Sequence, residues 1–379
     1  MSLFFKLTTR LWLFILSGSL LVVVGCTSPT ATSNPTSEGV NQSQDIYQSL
    51  SITPQPDNQL CWYDANFFVD KWDEYIANPV FEDGLATGLI LQNGEKIGQE
   101  TYQIMPNTPI HLTYRGYYHN ANDSSATSSV RYVALLDEHQ LSSAFDDSDT
   151  LYHDMVFNNH QEQTFTITIP PLIEGIHEFI VIGIQQTELF NDGRVGAFVI
   201  RLTLIAGNPS LSFDTTDYVS IQPTEYRTNE NVNDYWSLSI HSDQSNMVWV
   251  YPDIYKTAIN QLDFYISTGY MEQTDRLIEH NITPNSQPIA LVTLLDYVQV
   301  PIQEDKLVFY GLLTPDNSYS YIPASIDVSE YSGKKELLVV QINYPRIPYC
   351  ILTPPATEPI GFSFYFPINV QRYGVDVQN

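Results

Sequence analysis

The sequence predicts a mainly β protein whose body is two tandem antiparallel β-sandwich domains. Three observations lead there. The composition favours strands: 379 residues include 25 Tyr and 18 Phe, and only 16% are charged, against about 25% in ordinary soluble domains. Aromatic and β-branched side chains suit a pleated, half-buried surface. From Gly84 onward, short apolar runs alternate with Asn-, Asp-, Ser-, Gly- and Pro-rich segments, and no long helical periodicity intervenes. Finally, several runs of the first half recur in the second.

In the first half the expected strands are Leu89–Leu91, Ile110–Tyr114, Val130–Leu136, Phe165–Ile169, Glu178–Ile184 and Ala197–Ile205, with a hairpin turn signal at Asn93-Gly94. Gly207-Asn208-Pro209 marks a boundary. Beyond it come Trp236–Ile240, Met247–Tyr251, Leu262–Ile266, Ile289–Leu295, Leu307–Leu313, Glu336–Ile342 and Phe362–Val370. Val130 to Asp137 matches Ile289 to Asp296. Ile169-Pro170 leads through Gly175 to Phe179–Ile182, as Ile322-Pro323 leads through Gly333 to Leu337–Val340. A tandem duplication explains both matches. The sandwiches are expected at 84–206 and 207–379. A short helical segment at 58–83 precedes them, because Phe68, Trp72, Tyr75 and Ile76 share a helical face and Pro79 stops it.

Both halves resemble, at the level of fold, the immunoglobulin-like and fibronectin-type-III-like sandwiches. The entry Gly175-Ile176-His177-Glu178-Phe179 to a late strand carries the resemblance. The tyrosine corner of such domains would place Tyr where His177 and Lys335 stand. Both copies depart from it, so no family function comes with the fold.

The N-terminus gives an address. Lys6 and Arg10 precede an apolar run, Leu11 to Val24, that is shorter than a membrane span. Its end, Val23-Val24-Gly25-Cys26, resembles the lipobox of bacterial lipoproteins. That resemblance implies a signal peptide at 1–25, cleavage between Gly25 and Cys26, and Cys26 carrying diacylglycerol and an acyl chain. Two or more acyl chains anchor stably. The protein is then expected in the bacterial cell envelope, held to a membrane by its N-terminal lipid. Residues 26–57, rich in Ser, Thr, Pro, Asn and Gln, are a flexible tether. With Cys26 lipidated, Cys61 and Cys350 remain. Two thiols in an exported chain invite one disulfide, and two separate buried cysteines are the other reading.

The net charge is −27. That argues against a nucleic-acid partner and against adhesion to anionic lipid. The compact catalytic signatures are missing: no Gly-x-Ser-x-Gly, His-Glu-x-x-His, phosphate loop or Cys-x-x-Cys occurs. No cofactor is implied. Asp146, Asp147 and Asp149 are candidate ligands for a hard cation, although a solvated acidic loop accounts for them more simply. Asn120, Asn122 and Asp123 join them only if the fold brings their loop alongside. His119, His139, His153 and His160 fit no zinc spacing. Trp236, Trp249, Tyr251 and Tyr255, with Tyr319, Tyr321, Tyr344 and Tyr349, could form a stacking platform or simply pack a core.

The expected role is a non-enzymatic surface protein that binds or scaffolds an envelope protein partner. The alternative is a carbohydrate or cell-wall binding module working through the aromatic platform. A carboxylate-dependent hydrolase comes third. A solute-binding subunit is disfavoured, because such folds alternate strands with helices.

Overall fold

A computed structural model describes residues 83–91, 96–97, 101–142, 144–146, 148–185, 197–209, 216–221, 238–241, 256–269, 286–313, 319–347 and 368–378. The lipobox, the tether, the helical segment, Cys61 and Cys350 lie outside the described residues.

Every regular element described is a strand. In the first half these are β1 (Asp83–Leu91), β2 (Lys96–Ile97), β3 (Thr101–Ile104), β4 (Ile110–Asn120), β5 (Thr127–Leu136), β6 (His139–Gln140), β7 (Tyr152–Asn158), β8 (Glu162–Ile169), β9 (Gly175–Gln185) and β10 (Ala197–Ala206). In the second they are β11 (Val219–Ile221), β12 (Ser239–His241), β13 (Lys256–Ala258), β14 (Gln261–Gly269), β15 (Gln287–Leu295), β16 (Val298–Val300), β17 (Val308–Leu313), β18 (Tyr319–Asp327), β19 (Gly333–Asn343) and β20 (Ile368–Val377).

Each half folds as an immunoglobulin-like sandwich. In the first, an outer sheet β2-β1-β4-β8 faces an inner sheet β3-β10-β9-β5, with β6 and β7 both pairing β5. In the second, the outer sheet is β12-β14-β18 and the inner sheet runs β11-β17-β15-β19-β20-β13. The short β3 adds to β10 in parallel, and β13 adds to β20 in parallel. All other pairings but one are antiparallel; the exception is β11, the first described strand after the boundary, which runs parallel to β17.

Three apolar layers result. Tyr114, Tyr132, Phe145, Phe165, Phe179 and Leu202 fill the first sandwich. Phe264, Ile266, Leu291, Ile322, Val339 and Val375 fill the second. The third layer lies between the two inner sheets: Val133, Leu135, Ile180, Ile182 and Ile184 meet Val292, Leu294, Leu338, Val340 and Ile342. Side chains alternate across a strand, so β9 sends Phe179 and Val181 inward and Ile180 and Ile182 into this seam. A sheet buried on both faces reads as a continuous apolar run rather than an alternating one. The runs Phe179–Ile182 and Leu337–Val340 are therefore the mark of the seam in the sequence.

The repeat is visible in register. Leu136 pairs Phe179 as Leu295 pairs Leu337. Asp137 and Glu138 take positive φ, as do Asp296 and Tyr297, closing two-residue hairpins of the type that needs left-handed backbone at both positions. One expected match is displaced. The segment Ile169 to Gly175, from the end of β8 to the start of β9, corresponds to Asp327 to Gly333, whereas Ile322-Pro323 sits inside β18. Pro323 is tolerated there because β18 is an edge strand of its sheet. The last strand also runs to Val377 rather than stopping at Val370, since Arg372 finds an acidic partner across the ladder.

Candidate functional site

The buried charged residues, Glu138, Glu178, Arg201, Glu336 and Arg372, gather at the seam. Glu178 stands in β9 and Arg201 in β10, each about 1% exposed. Their side chains pair directly through Oε1 and Nε. Arg201 then reaches across the seam, donating to the carbonyls of Asn343 and Tyr344 at 2.9 Å each. Glu138, fully buried on the β5–β6 turn, accepts from Tyr310 Oη at 2.9 Å and from Arg346 at 3.0 Å. Two buried carboxylates and the buried Arg201 thus share one corner, with the half-exposed Arg346 at its rim. Burial drives the Glu178 carboxyl well above the ordinary carboxylate range; Arg201 opposes this, and the negative charge of Glu138 adds to it. Tyr310 is raised by burial and by the same Glu138 carboxylate.

The second sandwich carries the equivalent pair. Glu336 in β19 contacts Arg372 in β20 through Oε1 and Nε, with a further bond of 2.9 Å from Arg372 to Oε2. Arg372 also reaches across, to the carbonyl of Gln185 at 3.3 Å. At the position of Glu138 this half has Tyr297, whose hydroxyl donates to Glu336 at 2.8 Å. The ring of Tyr297 lies under the guanidinium of Arg131, which also covers Tyr152 and holds Asp154 through two bonds of 2.6 and 2.7 Å.

Between these corners the β5–β6 and β15–β16 hairpins meet. The Gln140 amide donates to Gln299 Oε1 at 2.6 Å and the Gln299 amide donates to Gln140 Oε1 at 2.7 Å. Gln140 Nε2 donates to the Tyr297 carbonyl at 2.7 Å, and Gln299 Nε2 to the Glu138 carbonyl at 3.1 Å.

The residues singled out by sequence fall elsewhere. Asp146 caps the β8 backbone: its carboxylate accepts the Thr166 amide at 2.9 Å and faces His153 Nδ1 at 3.6 Å. Asp149 is exposed on the same loop, and Asp147 lies outside the described residues. Asn120, Asn122 and Asp123 form their own turn, closed by the Asn120 side chain on the Asn122 and Asp123 amides at 2.9 and 3.0 Å. Among the described residues no group of three or more His, Cys, Asp or Glu is placed to hold a metal. His119 and His160 do come together, with Nδ1 atoms 3.4 Å apart, while His139 is exposed at the β5–β6 turn. Of the candidate stacking rings, Tyr321 is 8% exposed and Tyr344 is fully buried, so neither offers a free face. Trp236, Trp249, Tyr251, Tyr255, Tyr349 and the side chain of Tyr319 lie outside the described residues.

Sequence reasoning missed the seam residues Glu138, Glu178, Arg201, Glu336 and Arg372. A signal existed: single charges stand inside otherwise apolar strands, as in Val199-Ile200-Arg201-Leu202. A charge so placed is buried only with a partner.

No family model matches the chain, and no curated protein matches it. Solved structures that resemble it include the fibronectin(III)-like modules of Clostridium thermocellum CbhA, at 9% identity over 76% of this chain and 94% of that one, with a TM-score of 0.16. A CARDB domain from Pyrococcus furiosus, solved with two metal ions, is 10% identical over 33% of this chain and 98% of that one, with a TM-score of 0.21. A chain of the human seminal-plasma complex between zinc 2-glycoprotein and prolactin inducible protein is 9% identical over 34% and 99%, with a TM-score of 0.25. At these levels the likenesses say nothing of ligand or partner. The class rests on the strand order above: the protein is a tandem of immunoglobulin-like β-sandwiches.

Proposed function

We propose that the chain is a lipid-anchored protein of the bacterial cell envelope that works without catalysis, by presenting surface to a protein partner. The reading of the anchor rests on the lipobox ending at Cys26. The observation that carries the binding role is the seam. Both inner sheets, with their buried ion pairs, are occupied by each other. What remains to meet a partner is the outer sheets and the loops, held in a fixed relation by a shared apolar layer. Such a body is suited to docking, because preorganisation lowers the entropic cost of association.

Two experiments test this. A Cys26→Ala variant is expected to leave the membrane fraction, and its full retention there would remove the lipid anchor. Mild crosslinking of intact cells, followed by affinity capture of the tagged protein, is expected to recover one protein reproducibly. Polysaccharide recovered without a protein would move the assignment to the aromatic platform, and recovery of neither would overturn the binding role.

A further inference from the structure

The glutamine and arginine contacts across the seam include reciprocal pairs. Register fixes which residues of the two halves are equivalent. Leu135 pairs Gln140 as Leu294 pairs Gln299, so the glutamines occupy one position. Val130 pairs Gln185 as Ile289 pairs Asn343, and Ile180 pairs Arg201 as Leu338 pairs Arg372. In these terms six of the cross-seam bonds form three mirror pairs. Gln140 gives its side-chain oxygen to the amide of Gln299 and receives the same in return. Each glutamine Nε2 bonds the carbonyl two residues before its opposite number. Each arginine binds the acidic neighbour on its own sheet and then the carbonyl at the end of the other half's equivalent strand. The apolar layer between them is built from equivalent positions too, Ile180 with Leu338 and Ile182 with Val340.

A contact set in which i meets j and j meets i is the signature of a two-fold interface between identical subunits. A chain joining two unrelated domains has no reason to show it. We infer that the seam is an isologous dimer interface made into one chain: the inner sheet of each sandwich is a docking surface for a sandwich of its own kind, and this chain supplies that partner in cis. The inference concerns the seam alone and stands whether or not an envelope partner exists.

The symmetry is broken where one hairpin carries Glu138 and the other, at the equivalent position, carries Tyr297. Glu138 brings a second buried carboxylate to its corner and recruits Arg346 and Tyr310. The other corner keeps a tyrosine–glutamate hydrogen bond. Two copies free to diverge after joining would acquire such a difference; two subunits encoded by one gene could not.

The test uses the full chain with a protease site inserted between Pro209 and Thr216. It is cut under reducing conditions, so that Cys61 and Cys350 cannot tie the pieces. The cut protein is expected to elute as one species at micromolar concentration. In that background Gln140→Ala and Gln299→Ala remove equivalent bonds, one accepted and one donated. Each is expected to speed separation of the pieces by about tenfold, and the two factors should agree within about threefold. Spontaneous separation of the unsubstituted pieces in native buffer would overturn the inference. So would glutamine variants that differ by an order of magnitude, since only mirror-related positions must respond alike.

Discussion

His177 and Asp137 make in the first sandwich the contact that Lys335 and Asp296 make in the second. Each pair spans 2.7 Å, and each aspartate also accepts the amide of the following glutamate, Glu178 or Glu336, at 2.9 Å. The corner that immunoglobulin-like domains commonly fasten with a tyrosine is fastened here by charge.

The two corners should respond differently to pH. The hydrogen bond that His177 donates to Asp137 raises the imidazolium above its ordinary value, against an opposing push from burial. A raised folded-state value stabilises fully below about pH 6.5, and that stabilisation is lost as pH rises through the folded value. A lysine placed at position 177 would have an ordinary value of about 10.4 and carry its charge across that range. Urea unfolding between pH 5 and 8.5 is therefore expected to lose part of its downward slope in His177→Lys. An unchanged slope would remove His177 from the account.

Glu178 predicts a slope of the same sign and different origin. Its folded value is raised by burial and by Glu138, against the pull of Arg201, so the folded state binds a proton more readily than the unfolded one. The stabilisation is complete below the ordinary carboxylate range and fades as pH climbs toward neutrality and beyond. Glutamine cannot ionise, so the stability difference between wild type and Glu178→Gln should shift in favour of the variant from pH 5 to pH 8.5. A difference constant over that range would contradict the raised value.

Arg201→Ala should be among the costliest single changes. It leaves Glu178 without its guanidinium partner and abandons two carbonyls across the seam. Breaking one member of a buried pair costs about 3–5 kcal/mol. Arg372→Ala, which strands Glu336 at a more open corner, should cost less. Chemical denaturation of the two variants checks the order.

Gly183→Ala tests packing within the first sandwich. A Cβ there would enter the ring of Phe198, its partner across the β9–β10 ladder. Overpacking of this kind costs about 1–3 kcal/mol. Adding Phe198→Leu should recover part of the loss, and a purely additive double variant would place the strain elsewhere.

How much of this could be read beforehand depends on the element. The inner strands were legible because their apolar runs are long, and the repeated Asp137 and Asp296 ended both matched runs. β7 was not, because it is an edge strand whose Tyr152, Asp154, Val156 and Asn158 face solvent. β18 was hidden by Pro323. The β5–β6 and β15–β16 hairpins carry Asp-Glu and Asp-Tyr, and neither dipeptide signals a turn with positive φ. Long-range bonds from Asp137 to Glu178 and from Asp296 to Glu336 hold them, and no local rule sees partners forty residues away. The candidate site was illegible for the same reason: Glu138 meets Arg346 across 208 positions of sequence. The acidic loop drew attention by composition, yet Asp146 serves its own backbone.

The short parallel strands have a consequence for the protein among its copies. β3 closes one margin of the first inner sheet with four residues, and β11 and β13 close both margins of the second with three each. A sheet margin recruits a foreign strand through a long row of free peptide groups. These margins offer almost no such row, and what they border repels its like at a net charge of −27. At these three margins, among the described residues, a second copy finds little backbone to pair with.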